Sequence, residues 1–308
     1  MRSPVEQRGG ALGVREGYRN VQRCESVVPH DVEGSSAMAS TDDYFLGYRG
    51  AEQHRLQGQA AQLADEAAWL FDQIGPLDGA RVVEIGCGPH GCLDALSERV
   101  GRTGTVVGVE RSEQAVELAR ELVADRGLSN VEVLHGDGRS TGLARASFDL
   151  ATARLVLVNV PQPEQIVAEA VGLVRAGGTV AFHEADWFAH VCDPPLEAWT
   201  RLIEVLTRYA EINGIDLFVG RRLPRLLRDA GLVDVCSRPI VHLYDPGHGR
   251  RSILSDFVEN LSDRLLAQRL IARDELDDLQ AAVRRHLEDP ATLVVSHLFI
   301  QAWGRKPG

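Results

Sequence analysis

The fold turns on residues 83–91, Val83-Glu84-Ile85-Gly86-Cys87-Gly88-Pro89-His90-Gly91. The apolar run Ala80–Ile85 reads as a short buried strand, and Gly91–Val100 beyond the glycines reads as a helix. A glycine turn between a first strand and a helix lets the main chain approach a ligand closely. It also aims the free N–H groups of the helix N-terminus at that ligand. Taken literally, Gly86, Gly88 and Gly91 spell G-x-G-x-x-G, a match that is weak alone.

On the C-terminal side of this turn, strands and helices alternate. Thr105–Glu110, Val131–Leu134, Phe148–Thr152 and Thr179–His183 read as strands. Ser112–Arg126 reads as a helix opened by Ser112, and Pro163–Val174 as one with proline near its start. Short loops between such elements predict βαβ units and a parallel, doubly wound sheet. Past Asp186 the alternation stops. Leu196–Asn213, Arg222–Ala230, Arg251–Gln268 and Asp274–Leu287 read as helices, and Leu232–Leu243 and Thr292–Trp303 as strands that should pair antiparallel at the sheet edge.

On the N-terminal side, Ala51–Ile74 carries apolar residues at three- and four-residue steps and reads as an amphipathic helix ended by Gly75-Pro76. Residues 1–40 show no sustained apolar period and read as a flexible tail, or as an over-long start before Met38. The expected organisation is therefore this tail and one domain, 41–308. Its parts are a lid helix in 41–78, a cofactor-binding core in 79–186, helical lid segments in 187–231 and 244–291, and C-terminal strands in 232–243 and 292–303.

The 308 residues include 44 Asp and Glu against 33 Lys and Arg, a formal charge of −11. That balance disfavours nucleic-acid and anionic-membrane partners. No apolar run is long enough to span a bilayer, and no secretory signal opens the chain. Cys24, Cys87, Cys92, Cys192 and Cys236 form no C-x-x-C pair, and the histidines show no metal spacing, so a reduced, cytoplasmic protein without metal is expected.

Glu84 narrows the ligand. A carboxylate at the end of the first strand would repel a pyrophosphate but suits a positively charged group, and S-adenosylmethionine carries an ammonium and a sulfonium. Glu110, closing the second strand, can accept from both hydroxyls of a ribose. Asp137, between Gly136 and Gly138, can accept from an adenine amine, although Gly-Asp-Gly is also plain turn chemistry.

Glu84-Ile-Gly-Cys-Gly, Glu110, Gly136-Asp137, Phe148-Asp149-Leu150 and Arg175-Ala-Gly-Gly-Thr resemble the ordered motifs of class I S-adenosylmethionine-dependent methyltransferases. Within that family the chain is most similar to the UbiE-like actinobacterial small-molecule branch. The resemblance covers Ala80–Asp186 most strongly. It departs at His90, where the family has a third glycine. It implies a Rossmann-like α/β fold with a seven-stranded sheet and an antiparallel last strand. It also implies S-adenosyl-L-methionine as cofactor, held by Glu84, Gly86, Cys87, Gly88, Glu110, Arg111, Gly136, Asp137, Gly138 and Arg154.

Methyl transfer from a sulfonium needs alignment and dryness more than acid–base machinery. The catalytic candidates are His183, Glu184 and Asp186 at the end of the fifth strand, where doubly wound sheets place their ligands. Trp187 and Tyr48 are candidate walls for the acceptor. The expected partner is a small, partly apolar methyl acceptor, methylated at oxygen or carbon, and a homodimer is compatible with this. The competing readings are methylation of a peptide or RNA, an NAD-dependent oxidoreductase, and a silent nucleoside-binding protein.

Overall fold

Every residue of β1 (Arg81–Ile85) after Arg81 is buried, as a strand with both faces covered requires. In the computed structural model β1 pairs in parallel with β2 (Thr105–Glu110) on one side and β4 (Phe148–Arg154) on the other. The structure describes Leu56, Gly58 and residues 60–308. The predicted tail, Tyr48 and the start of the Ala51–Ile74 helix lie outside the described residues. The helix is observed as α1, Ala64–Ile74.

Beyond β2 lies β3 (Val131–His135), and beyond β4 lies β5 (Val174–Asp186), both parallel to their neighbours. The crossover helices are α2 (Leu93–Val100), α3 (Glu113–Asp125) and α4 (Pro163–Leu173). Ser112 caps α3, its hydroxyl accepting from the Ala115 N–H at 3.3 Å. The order reverses between β1 and β4, which opens a crevice at their carboxyl ends.

After β5 come a short strand β6 (Val191–Asp193), α5 (Glu197–Ile212), α6 (Val219–Asp229) and β7 (Val233–Ile240). They are followed by α7 (Ile253–Ala267), α8 (Arg273–Glu288), β8 (Leu293–Val295) and β9 (Leu298–Arg305). The sheet runs β3-β2-β1-β4-β5-β9-β7. The final strand β9 is antiparallel to both β5 and β7, the edge expected from the sequence. One difference is that the run Thr292–Trp303 is not a single strand. It breaks at Ser296-His297, and β8 leaves the main sheet to pair with β6.

Helix α6 packs closely against β5. A Cβ on Gly220 would meet the Ala185 carbonyl oxygen at 2.8 Å, so only glycine permits this approach. One apolar core covers β5, β9, α5, α6 and α7, and a second lies between β1, α1 and α2.

Candidate active site

The glycine turn is held from below by two side chains. Glu84 is 1% exposed, and its carboxylate oxygens both accept the Cys92 N–H at 2.9 Å. The Arg154 guanidinium, from the end of β4, donates to the Gly91 carbonyl at 2.8 Å. Burial raises the Glu84 pKa to about 7, while Arg154 and the Cys92 amide favour its charged form. In the structure Glu84 also supports the turn itself. It satisfies an amide at the start of α2 and lies directly beneath Gly91, where a Cβ would sit 2.6 Å from its Oε2.

Gly86, Gly88 and Gly91 all have positive φ. At Gly86 a Cβ would collide with Val156, whereas at Gly88 it would meet nothing within 4 Å. Gly88 is therefore the glycine with open space above it. Its N–H donates to Glu110 Oε2 at 2.9 Å, and Glu110 Oε1 accepts from the Ser112 N–H at 2.8 Å. Glu110 thus reaches the first turn from the end of the neighbouring strand. The adjacent Arg111 accepts at its carbonyl from His135 Nε2 at 2.9 Å.

Asp137 lies after β3 and forms an ion pair with Arg139. Its Oδ1 also accepts the Arg139 N–H at 2.9 Å, and hydrogen bonds from Arg139 lower its pKa. A Cβ on Gly138 would lie 2.6 Å from Ile85, so this turn packs onto the end of β1. Cys87 is buried, and burial pushes its thiol well above the usual range. It packs beside Gly108 rather than presenting a nucleophile.

These groups fit S-adenosylmethionine. Glu110 and Asp137 have the carboxylate chemistry for a ribose and an adenine, and Gly88 leaves room for close approach. Glu84 and Arg154 also brace the turn, through the Cys92 N–H and the Gly91 carbonyl.

At the acceptor end the candidates separate. Glu184 is fully buried, and its carboxylate accepts the N–H groups of Val156, Leu157 and Val158 at 2.9, 2.9 and 3.2 Å. It caps the turn after β4, and burial raises its pKa to about 7 against these three donors. Asp186, also fully buried, pairs with Arg221 on α6, whose Nη2 donates at 2.6 Å, and accepts the Phe188 N–H at 3.1 Å. The structure therefore gives both carboxylates hydrogen-bonding work within the fold. His183 differs. It is 2% exposed, and both ring nitrogens hydrogen-bond to nothing among the described residues.

His183 is in register with Arg154 on β4 and with Gln301 on β9, so the row Arg154–His183–Gln301 runs from the glycine turn into the C-terminal half. There the structure gathers His190, His242, His297 and Phe299, which the sequence analysis did not select, around His183 and Trp187. The rings of His183, His242 and His297 stand 5.4, 5.9 and 4.4 Å from the Phe299 ring. Trp187 stacks on His297 at 5.1 Å and meets His190 edge-on at 5.5 Å. A histidine inside the apolar run Thr292–Trp303 was the available signal. Its partners are far apart in sequence.

Residues 83–182 match the family model described as a methyltransferase domain. Over these residues the chain carries a methyltransferase domain. It is 31% identical over 220 residues to an uncharacterized 37.1 kDa protein in transposon TN4556 of Streptomyces fradiae, covering 65% of this chain and 62% of that one. It is 29% identical over 140 residues to an aklanonic acid methyltransferase of Streptomyces sp. strain C5, covering 40% and 64%. The match thus spans less than two thirds of either relative. Among solved structures, phosphoethanolamine N-methyltransferase 2 of Haemonchus contortus with S-adenosyl-L-methionine superposes with a TM-score of 0.51 at 16% identity. That superposition covers 79% of this chain and 53% of that one, and at this identity it speaks for the fold. In the methyltransferase domain, the glycine turn, Glu110 and Asp137 occupy the carboxyl ends of β1, β2 and β3.

Proposed function

We propose that the protein is an S-adenosylmethionine-dependent methyltransferase that methylates an oxygen or carbon of a small, partly apolar metabolite in a reducing cytoplasm. The supporting observation is the glycine turn, with Glu110 bound to the Gly88 N–H beside open space. The methyltransferase domain match and the aklanonic acid methyltransferase relative support the same reading. Among the described residues Cys87, Cys92, Cys192 and Cys236 are free thiols, which agrees with a reducing compartment.

When bound, S-adenosylmethionine supplies an electrophilic methyl on a leaving group that departs neutral. The chain's task is then to orient the acceptor in line and keep water out. Trp187, 6% exposed, contributes an apolar wall. On this reading the acceptor is met by His183, whose ring nitrogens have no hydrogen-bond partner among the described residues. Burial lowers its pKa to about 3, so it meets a hydroxyl as a neutral ring that accepts at one nitrogen and donates at the other.

Titration calorimetry of the full chain with S-adenosylhomocysteine and with NAD tests the reading. Heat with S-adenosylhomocysteine alone supports it, and heat with NAD alone overturns it.

A further inference from the structure

The turn after β3 is held by its main chain. The Gly136 N–H donates to the Glu110 carbonyl at 2.9 Å, and the Ser140 N–H donates to the Asp137 carbonyl at 2.9 Å. A Cβ on Gly136 would meet Val109 at 3.2 Å and one on Gly138 would meet Ile85 at 2.6 Å. Both glycines are thus pressed onto the strand ends. Within this turn Asp137 and Arg139, two residues apart, are also joined by their side chains. Arg139 Nε donates to Oδ1 at 3.0 Å and to Oδ2 at 3.2 Å, and Nη2 donates to Oδ2 at 2.5 Å. The sequence analysis did not select Arg139.

An exposed ion pair adds little to stability, and this turn already has its main-chain bonds and glycine packing. The Asp137 side chain is 40% exposed and that of Arg139 24%, so the pair is open to a ligand. Its work falls on the carboxylate. A guanidinium fork fixes the carboxylate plane, where a lone aspartate would rotate. Hydrogen bonds from Arg139 and the Arg111 charge also favour the ionised form. An ionised carboxylate offers about four acceptor positions and no donor. The Arg139 main-chain N–H, Nε–H and Nη2–H take all but about one of them. In the sheet β3 lies beyond β2 from β1, with His135 in register with Glu110. A ligand reaching from the glycine turn across Glu110 therefore meets Asp137 next.

We propose that Arg139 is a positioning residue for the base of the cofactor: it fixes Asp137 with one acceptor position open, which admits a 6-amino purine and turns away a 6-oxo purine. This rests on the methyltransferase reading and names the residue that makes cofactor binding selective. The 6-amino group donates to the open position, whereas a 6-oxo group there would set one acceptor against another. A 6-oxo purine does carry a donor at N1, but a carboxylate held by the fork does not turn to meet it. Arg139 acts through Asp137 and not on the base itself.

Titration calorimetry of the full chain with S-adenosylhomocysteine and S-inosylhomocysteine, its 6-oxo counterpart, is the test. The parent should bind the adenosyl compound at least about tenfold more tightly, the effect of one hydrogen bond to a charged group. Arg139→Ala frees the carboxylate to turn, so the preference should shrink to about threefold or less. A turn that had merely loosened would weaken both ligands alike, and a ratio unchanged in folded Arg139→Ala overturns the proposal. Arg139→Lys keeps the charge without the fork and should give a ratio between those of the parent and Arg139→Ala. If Arg139→Ala does not fold, Arg139→Lys decides, and a ratio equal to the parent's overturns the proposal. Preference of the parent for the inosyl compound also overturns it, because Arg139 would then meet the base directly. Failure of the parent to bind either compound overturns the methyltransferase reading itself.

Discussion

The Cys92 main-chain N–H donates to both carboxylate oxygens of Glu84 at 2.9 Å, tying the end of β1 to the start of α2 across the glycine turn. The shape of the turn therefore depends on a residue that is itself buried. Replacing Glu84 strands an amide and removes the partner of the Arg154 charge at the same time.

Glu84→Ala should weaken S-adenosylhomocysteine binding by roughly ten- to a hundredfold, the equivalent of about 1.5–3 kcal/mol for a charge-assisted hydrogen bond. Glu84→Gln retains one acceptor and should lose less. Calorimetric dissociation constants check the ranking. Equal affinities for all three proteins would show that the turn holds its shape without the carboxylate.

Glu110 joins β2 to the turn through the Gly88 and Ser112 amides. Glu110→Ala should cost about tenfold or more in cofactor affinity with little change in melting temperature, because Glu110 is only half-buried and water can replace it. A drop of many degrees without loss of affinity would make its role purely structural.

The strand-end trio should divide by readout. Glu184→Ala leaves three amides, two of them buried, without an acceptor and should destabilise the fold by at least about 2 kcal/mol. His183→Phe should leave stability and cofactor affinity near those of the parent. It should still lower the single-turnover rate about a hundredfold, at the low end of what a proton-handling side chain contributes. Rates within a fewfold of the parent would place His183 outside the chemistry. Because burial holds its pKa at about 3, the parent's rate should show no inflection near pH 6.5 from this ring.

His190 should make the fold acid-sensitive. Its folded pKa, lowered to about 3 by burial, lies below the usual 6.5, so between these values the unfolded chain binds the proton and the native state does not. Stability is therefore lost as pH falls below 6.5. The loss between pH 6.5 and 5 is about 1.5–2 kcal/mol from this ring. Glu84 and Glu184 act oppositely. Their pKa values are raised to about 7, so the native state holds protons that the unfolded chain releases, and their contribution fades as pH rises through 7. Denaturation of His190→Phe at pH 6.5 and pH 5 should show a stability loss smaller than the parent's by about this amount. Identical losses would mean that the ring is hydrated or charged in the native state.

Alkylation should distinguish the described cysteines. Cys236 is exposed on β7 and should react first with iodoacetamide, while burial pushes the Cys87 and Cys92 thiols up and shields them. Mass spectrometry of peptides after brief exposure reads the order, and early labelling of Cys87 would contradict the packed turn.

The sequence by itself determined the sheet and the cofactor end, because both are written in short-range patterns. Alternating apolar strands and helices, a glycine turn after β1, and acidic residues closing β2 and following β3 all fall within a few residues of the elements that position them. Even the antiparallel β9 could be read, since no helix follows Leu243 closely enough for a simple crossover. Tertiary structure decided the rest. Only with α2 folded beside the turn does the Glu84 carboxylate meet the Cys92 amide. Glu184 and Asp186 looked equivalent to His183 in sequence. In the fold, three amides after β4 bind Glu184 and Arg221 from α6 binds Asp186, while the His183 ring nitrogens have no hydrogen-bond partner among the described residues. His190, His297 and Gln301 are separated by up to about a hundred residues. Closure of β6 against β8 brings the His190 and His297 rings within 5.7 Å of each other, and antiparallel pairing of β9 with β5 sets Gln301 beside His183. Burial, which no local pattern records, lowers the pKa of both the His190 and His297 imidazoles.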